Sequence, residues 1–126
     1  MRFMVMVNAT KDFEEGQPPN EELSAAIGKL AEQSFREGVM VEMGGLLPTA
    51  MGARVRASGG KLTVEDGPFA EFKELIGGYA ILNVQSKAEA IEHTRRFLQL
   101  HVDVLGPTYE GWCEIRQLFE PGEQMG

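Results

Sequence analysis

Several residue types are scarce in this chain, and each scarcity excludes a class of protein. One cysteine, Cys113, occurs among 126 residues, so no disulfide can form within the chain, which fits a reducing compartment. Basic residues number 12 against 19 acidic ones. Their short groups, Arg54/Arg56 and Arg95/Arg96, have acids nearby, whereas binding to a phosphate backbone needs clustered cations. We therefore expect no nucleic-acid partner.

Long hydrophobic runs are also missing. No apolar stretch approaches the roughly 18 residues that a membrane span needs. The apolar run at the start of the chain stops at Asn8, and no convincing small-residue cleavage site follows it. We therefore expect a cytoplasmic protein without a membrane partner. Because there is also no glycine-rich phosphate loop, metal-ligand cluster or G-x-S-x-G motif, we expect neither a metal nor a cofactor.

The apolar patterns that are present begin with a strand and a helix. Residues 2–8 are nearly all apolar and predict a strand covered on both faces. Residues 9–19 read as a loop. A helix follows, because Asn20 can cap its first turn and Gly38 can end it. Its apolar stripe comprises Leu23, Ile27, Leu30, Ala31 and Phe35.

The rest of the chain predicts a hairpin and a second strand–helix–strand unit. Strands are predicted at residues 39–47, 53–57, 62–64, 79–84 and 112–119, and a helical turn at 71–75. Ser86 and Glu89 have the spacing of a capping box that opens a second helix. The inner side of this helix is assigned to Ile91, Thr94, Arg95 and Leu98. The order predicts an α+β fold, a ferredoxin-like split βαβ antiparallel sheet with an inserted hairpin and two helices on one face.

Length and patterning predict a single domain, residues 1–126, with a flexible tail at 121–126. The sheet of such a fold leaves one face without helices. Apolar residues nevertheless occupy both faces of the strands, above all Phe3, Met4, Val5 and Met6. A second copy of the chain is the simplest cover, so the sequence predicts a homodimer.

The segment Asp66–Glu74 carries the most suggestive chemistry, because four ionisable residues surround a Gly-Pro turn. Gly67 and Pro68 fix a bend, and Phe69 supplies an apolar anchor beside it. Carboxylates held against apolar surfaces act as general acids or bases, which makes Asp66 the candidate catalytic residue. The alternative is a structural turn, in which Asp66 accepts hydrogen bonds from the backbone amides that follow it.

Three further residues could contribute to a binding site. Arg54 and Arg56 share one face of a strand and could grip a substrate carboxylate. The alternative for them is a solvated face, or an ion pair with Glu65 or Glu114. Tyr79 could offer its hydroxyl to a pocket, although a half-buried strand tyrosine is equally expected.

The cysteine and the histidines are interpreted as structural or surface residues. Cys113 is predicted to be a packed thiol rather than a nucleophile, because no histidine lies near it in sequence. His93 and His101 are predicted to be solvated surface residues. Their spacing is too long for a metal-binding pair on one helical turn.

The segment Asp66–Glu74, followed by Leu75-Ile76-Gly77-Gly78-Tyr79, closely resembles the signature of the DGPF-domain, or YCII-related, proteins. The resemblance continues, in family order and over nearly the whole chain, at Gly45-Leu46-Leu47-Pro48, Ala53-Arg54-Val55-Arg56, Lys87-Ala88-Glu89-Ala90-Ile91-Glu92 and Glu114-Ile115-Arg116. It implies a ferredoxin-like fold paired as a dimeric α+β barrel, with a cavity facing the sheet.

The resemblance leaves activity open. Most members have no established activity, and some relatives are thought to use a His-Asp pair in a small-molecule lyase or dehalogenase reaction. Neither histidine of this chain lies near the first predicted helix in sequence, where the histidine of that pair would be expected. Phe72 stands where the family commonly has a small polar residue, and residues 97–111 fit the family poorly.

Two functions therefore remain as hypotheses. The first is an enzyme of lyase- or dehalogenase-like chemistry, with Asp66 as acid or base, tuned or oriented by Glu71 and Lys73. Its substrate-binding set comprises Arg54, Arg56, Phe69, Glu71, Lys73 and Tyr79, with an arginine neutralising an anionic substrate. The second is a non-catalytic module that uses the same dimeric cavity to sense a metabolite or dock a partner. A third possibility is that the segment Asp66–Glu74 only shapes the dimer interface.

Overall fold

The computed structural model describes residues 1–120, apart from the side chain of Phe72. The predicted flexible tail, residues 121–126, lies outside the described residues. Within them the elements are β1 (Arg2–Asn8), α1 (Lys11–Glu14), α2 (Glu21–Arg36), β2 (Met40–Gly45), β3 (Ala53–Ser58), β4 (Lys61–Asp66), β5 (Ile76–Asn83), α3 (Lys87–Leu105) and β6 (Cys113–Gln117). Two short 3₁₀ turns cover Thr49–Met51 and Phe72–Glu74. No described helix is both long and apolar enough to cross a membrane.

Four strands form an antiparallel sheet in the order β2-β5-β1-β6. The central strand β1 pairs with β5 and β6, and Val5 faces Ala80 on one side and Ile115 on the other. The fold is thus α+β, with an antiparallel sheet and, in the described part of the chain, three helices. This strand order is compatible with the predicted ferredoxin-like fold.

Alternation along β1 fixes which face of the sheet is the core. Phe3 and Val5 are buried, whereas Met4 and Met6, on the opposite face, are only half-buried. Successive side chains of a strand point to opposite faces, so the buried pair faces the helices. The core cluster comprises Phe3, Val5, Met40, Leu82, Val84 and Ala90.

The two long helices begin at the predicted caps. The side chain of Asn20 accepts from the amide of Leu23, and Ser86 accepts from the amide of Glu89. The Glu89 carboxylate accepts from the amide of Gln85, so the predicted capping box closes one residue early. Both predicted helices are confirmed.

Two details of the helical prediction are wrong. Residues 9–19 were predicted as a loop, yet α1 forms there because the Thr10 side chain caps it through the amide of Phe13. In α3 the predicted inner stripe is only partly right, since Thr94 is buried and Leu98 half-buried but Ile91 and Arg95 are exposed. The buried residues of α3 are Ala90, His93, Thr94 and His101.

The inserted hairpin is confirmed as a separate two-stranded sheet of β3 and β4. All twelve of its residues are exposed in the single chain. Its register places charged and hydroxyl side chains on one face, including Arg54, Arg56, Thr63 and Glu65. The other face comprises Ala53, Val55, Ala57, Leu62, Val64 and Asp66.

Candidate functional site

A cavity of about 900 Å³ lies between the helical face of the sheet and the helices. The sheet contributes Val5, Ala80 and Leu82, and α2 contributes the stripe residues Leu23, Ile27 and Leu30. These three leucine and isoleucine side chains are half-buried rather than buried, because the cavity lies beneath them. Ligand sites in proteins have about this volume and are mostly apolar.

Two histidines line the cavity, although both were predicted to be solvated. His93 is 7% exposed and His101 is 8% exposed. That prediction is therefore wrong. They are eight residues apart in α3, about 12 Å along the helix axis.

His93 joins the two long helices. Its Nε2 lies 2.7 Å from Oγ of Ser34 in α2, and the Ser34 hydroxyl donates to the carbonyl of Leu30 at 2.7 Å. Burial, and secondarily the positive charge of Arg96, lowers the pKa of His93, whereas Glu37 opposes the shift. His93 is consequently neutral at neutral pH.

His101 is held by its own helix. Its Nδ1 lies 3.0 Å from the carbonyl oxygen of Phe97, and its ring contacts those of Phe97 and Tyr109 at centroid distances of 4.8 and 5.1 Å. Burial lowers the pKa of His101, although the hydrogen bond to Phe97 works in the opposite direction. This end of the cavity is aromatic and uncharged.

The predicted catalytic segment lies outside the cavity and is tethered by Thr49. The Glu14 carboxylate accepts from both the amide and the hydroxyl of Thr49, at 2.8 and 2.5 Å. Oγ1 of Thr49 in turn accepts from the amide of Phe69 at 3.0 Å. The chain Glu14–Thr49–Phe69 thereby fixes the turn after β4 to α1.

Asp66 is the last residue of β4 and is exposed in the single chain. The amide of Gly67 donates to the carbonyl of Gly52, and that of Phe69 to Thr49, so neither is available to the Asp66 carboxylate. Among the described residues, that carboxylate makes no hydrogen bond or ion pair. Asp66 does not line the cavity.

The two arginines lie on the charged face of the hairpin with different partners. The guanidinium carbon of Arg54 lies 3.8 Å from the ring centroid of Phe69, a cation–π contact. Arg56 forms a bidentate ion pair with Glu65, in which Nε lies 3.0 Å from Oε1. Arg54 and Phe69 are thus brought together beside the turn.

The remaining predicted site residues are dispersed. Glu71 and Lys73 are exposed, and the carbonyl of Lys73 accepts from the indole of Trp112 at 3.0 Å. Tyr79 borders the cavity, but its hydroxyl donates to the Glu42 carboxylate. That hydrogen bond, then burial and the negative charge of Glu42, raises the pKa of Tyr79.

The comparisons with known proteins identify the family. A model of the YCII-related domain matches residues 1–97. The chain is also similar to an uncharacterized protein of Rhizobium meliloti (strain 1021), at 32% identity over 112 residues, which is 87% of this chain and 82% of the relative. The chain belongs to the YCII-related family.

The family match covers the cavity of this YCII-related chain only in part. It ends at Phe97, within α3, so His93 and Thr94 lie inside the matched region and His101 and Tyr109 lie beyond it. The predicted resemblance reached further, to Glu114-Ile115-Arg116. At the aromatic end of the cavity, Phe97 is therefore the last residue that the family model matches, and His101 and Tyr109 lie beyond it.

Sequence reasoning missed several residues that organise these regions of the YCII-related chain. Glu14 and Thr49 carried no motif, because their contact spans 35 residues. Ser34 and His93 are 59 residues apart, so their hydrogen bond has no local signal. Leu100 and Val102, which flank His101, were a local clue to its burial, whereas Glu92 and Thr94 give none for His93.

Two other observations bear on chemistry. Burial raises the pKa of Cys113 to about 11, so the thiol is protonated at neutral pH and is packed, as predicted, rather than activated. Among the described residues, no three His, Cys, Asp or Glu side chains converge in a way that could hold a metal ion.

Proposed function

We propose that this YCII-related chain is a homodimeric small-molecule-binding protein whose ligand occupies the cavity between the sheet and the helices. The observation that carries the proposal is the cavity itself, with about 900 Å³ of space beneath the apolar stripe of α2. Protein interiors are close-packed, and voids much larger than a water molecule are few. This space reaches from the core cluster to exposed residues such as Pro18 and Asn20, so it is an open pocket that a ligand can enter rather than a sealed packing defect.

The side chains that line the cavity are suited to a small-molecule ligand rather than to water alone. Apolar side chains contribute most of it, and the buried polar side chains are few and fixed by hydrogen bonds to the protein: His93, Thr94 and His101. This combination of an apolar wall and a few placed polar groups is typical of binding sites for small molecules.

The test is binding of N-phenylnaphthylamine, an uncharged fluorescent probe, to the full chain. We expect saturable fluorescence enhancement with one site per chain and a rise in melting temperature with probe concentration. Ile27→Trp, at a half-buried position of the lining, should fill the space and abolish binding. Ala25→Trp, at an exposed position of the same helix outside the lining, should bind as the wild type does.

Two results would exclude the cavity as the site. One is a wild-type protein that does not bind the probe, and the other is an Ile27→Trp variant that is folded and binds it with unchanged affinity. Melting temperatures of both variants, measured without probe, separate blocked binding from unfolding.

The proposed homodimer is supported by the surface of the single chain. On the hairpin, Val55, Leu62 and Val64 are 70%, 75% and 68% exposed and share one face. An isolated two-stranded hairpin is marginally stable in water, so this one needs a cover. Leu47 and Met51, in the connection before it, are also exposed. The single free cysteine supports a cytoplasmic location.

An enzyme centred on Asp66 is the second candidate. Its support is the register of the hairpin, which places Asp66 on the apolar face beside Ala53, Val64 and Val55. If a second copy covers that face, the carboxylate becomes enclosed by apolar surface, which is the setting of a general acid or base. In this candidate the substrate-binding roles of Arg54, Arg56, Phe69, Glu71, Lys73 and Tyr79 stay predictions, because Arg54 and Arg56 lie on the face of the hairpin opposite Asp66.

The second candidate is tested with a substrate that the wild-type protein converts in a mass-spectrometric screen of small molecules. Asp66→Asn should abolish turnover while leaving the melting temperature nearly unchanged. Retained turnover would exclude Asp66 as acid or base. Loss of folding would indicate a structural role for Asp66, and a change in sedimentation mass alone would favour a role in the dimer interface.

A further inference from the structure

We propose that the cavity takes an uncharged ligand that has an apolar body and donates hydrogen bonds, from hydroxyl or N–H groups, to the rings of His93 and His101. This inference rests on the proposed function, because it names the ligand class of that same site. The ligand class follows from the acceptor to which each polar hydrogen of the buried lining residues is donated.

The hydrogen of the Ser34 hydroxyl decides the state of His93. Ser34 Oγ lies 2.7 Å from the carbonyl oxygen of Leu30 and 2.7 Å from Nε2 of His93. Two oxygens this close need a hydrogen between them, and the carbonyl has none, so Ser34 donates to Leu30. Ser34 can then only accept from His93, which places the ring hydrogen on Nε2 and leaves Nδ1 as an acceptor.

His101 carries its ring hydrogen on the other nitrogen, Nδ1, and it too has one nitrogen left as an acceptor. Its Nδ1 lies 3.0 Å from the carbonyl of Phe97, which can only accept, so Nδ1 carries the hydrogen and Nε2 is the acceptor. The Thr94 hydroxyl between them donates to the carbonyl of Ala90 at 2.8 Å. All three buried polar residues of the lining therefore have their hydrogens committed to the protein.

The remaining ring nitrogens reach accessible space. Neither Nδ1 of His93 nor Nε2 of His101 has a hydrogen-bond partner among the described residues. Every described side-chain nitrogen or oxygen atom that is inaccessible to solvent has a hydrogen-bond partner. Because these two nitrogens have none, they must be accessible to solvent. Both histidines are more than nine-tenths buried and line the cavity. In this proposal the cavity is the space from which a ligand reaches the two nitrogens.

The charge of the lining selects against anions. No lysine or arginine occurs among the described lining residues, and the one carboxylate, Asp12, is exposed and would repel an anion. The two arginines assigned to an anionic substrate, Arg54 and Arg56, lie on the hairpin instead. Buried acceptors left without a donor destabilise a complex, so a donor group on the ligand is selected.

The ring states are measured first, without any ligand. Long-range ¹H–¹⁵N spectra of the full chain at pH 7.5 should show two neutral histidines, His93 protonated on Nε2 and His101 protonated on Nδ1. The reverse state of His93, or a charged ring on either residue, would overturn the inference. This measurement does not depend on whether the cavity binds anything.

The ligand class is then tested with three probes of one shape: para-hexylphenol, its methyl ether para-hexylanisole, and the anion para-hexylbenzoate. We expect the phenol to bind roughly three- to tenfold more tightly than the ether, as one neutral hydrogen bond contributes. The benzoate should bind more weakly than either. Equal affinities of phenol and ether, or a preference for the benzoate, would overturn the inference.

Matched variants connect that preference to the two rings. His93→Leu and His101→Leu each remove the acceptor nitrogen without supplying another acceptor, whereas Gln or Asn would offer an amide oxygen in its place. The double variant should lose the preference of phenol over ether while still binding the ether. If no probe binds, including N-phenylnaphthylamine, the proposed function itself fails; if the probes bind and the double variant keeps the preference, only this inference fails.

Discussion

At Gly67 the chain passes so close to Thr49 that no side chain fits. A Cβ atom built on Gly67 would lie 1.6 Å from the Thr49 carbonyl oxygen and 2.6 Å from its carbon. Because both atoms belong to the backbone, the turn must move to admit a methyl group. We expect Gly67→Ala to lower the free energy of unfolding by about 2 kcal/mol or more, measured by urea denaturation.

Gly28 provides the matched control for that substitution. It lies within α2 with nothing near the position of an added Cβ, so Gly28→Ala should stabilise the protein by about 0.5–1 kcal/mol. If Gly67→Ala were as stable as the wild type, the close approach to Thr49 would not exist in solution.

The two buried histidines predict how stability depends on pH. Burial lowers the pKa of both below the usual value of about 6.5, so the unfolded chain binds protons that the folded chain does not. Stability from this source is complete above about pH 6.5 and is lost as pH falls towards the lowered values. The slope reaches at most about 1.4 kcal/mol per pH unit for each histidine.

The measurement is the free energy of unfolding between pH 7.5 and pH 5.5, compared with that of the His93→Gln/His101→Asn double variant. The difference in slope isolates the histidines from carboxylates that titrate in both proteins. If the unfolding free energies of the two proteins changed with pH in parallel, the two rings would be solvated, as the sequence alone had predicted.

At the scale of elements, the sequence predicted what depends on local pattern. The strand at residues 2–8 and the helices capped by Asn20 and Ser86 were correct, because caps and apolar periodicity are local. The predicted face of α3 was right at Thr94 but missed His93, because Ile91 and Leu98 are more hydrophobic than His93, which is buried through Ser34 on another helix.

The candidate site was predictable only where it forms a motif. The segment Asp66–Glu74 was recognisable by composition, but its tether to Glu14 and Thr49 is not encoded by any spacing. The family resemblance implied a cavity facing the sheet, but residue spacing could not predict its volume, which depends on how far α2 lies above the sheet rather than on which residues form its stripe.

The hydrogen bonds of Thr49 connect α1 to the turn after β4, so their contribution to stability is predicted at the scale of elements. Thr49→Val keeps the shape of the side chain but removes the hydroxyl that donates to Glu14 and accepts from Phe69. We expect a loss of about 1–3 kcal/mol of unfolding free energy, together with faster hydrogen exchange at the Phe69 amide.

Thr63→Val is the matched control, because Thr63 is exposed on the charged face of β4. It should change stability by no more than about 0.5 kcal/mol. Unchanged exchange at Phe69 in Thr49→Val would show that the turn after β4 holds its position without α1.

At the scale of the whole molecule, the single chain buries apolar surface on only one side of its main sheet. Both long helices cover the face of Phe3 and Val5, whereas Met4 and Met6 lie on the other face and remain half-buried. The hairpin adds a second uncovered apolar surface. The proposed two-fold pair would cover both with one interface if each copy placed its hairpin on the sheet of the other.

Sedimentation equilibrium of the full chain should therefore give twice the chain mass of 13.9 kDa. Val64→Glu places a charge on the apolar face of the hairpin and should give the mass of one chain, because an unpaired buried charge destabilises an interface. Thr63→Glu introduces the same charge one residue away, on the opposite face, and should stay dimeric. A Val64→Glu protein that remains dimeric would remove the hairpin from the interface, and with it the enclosure that acid–base chemistry at Asp66 requires.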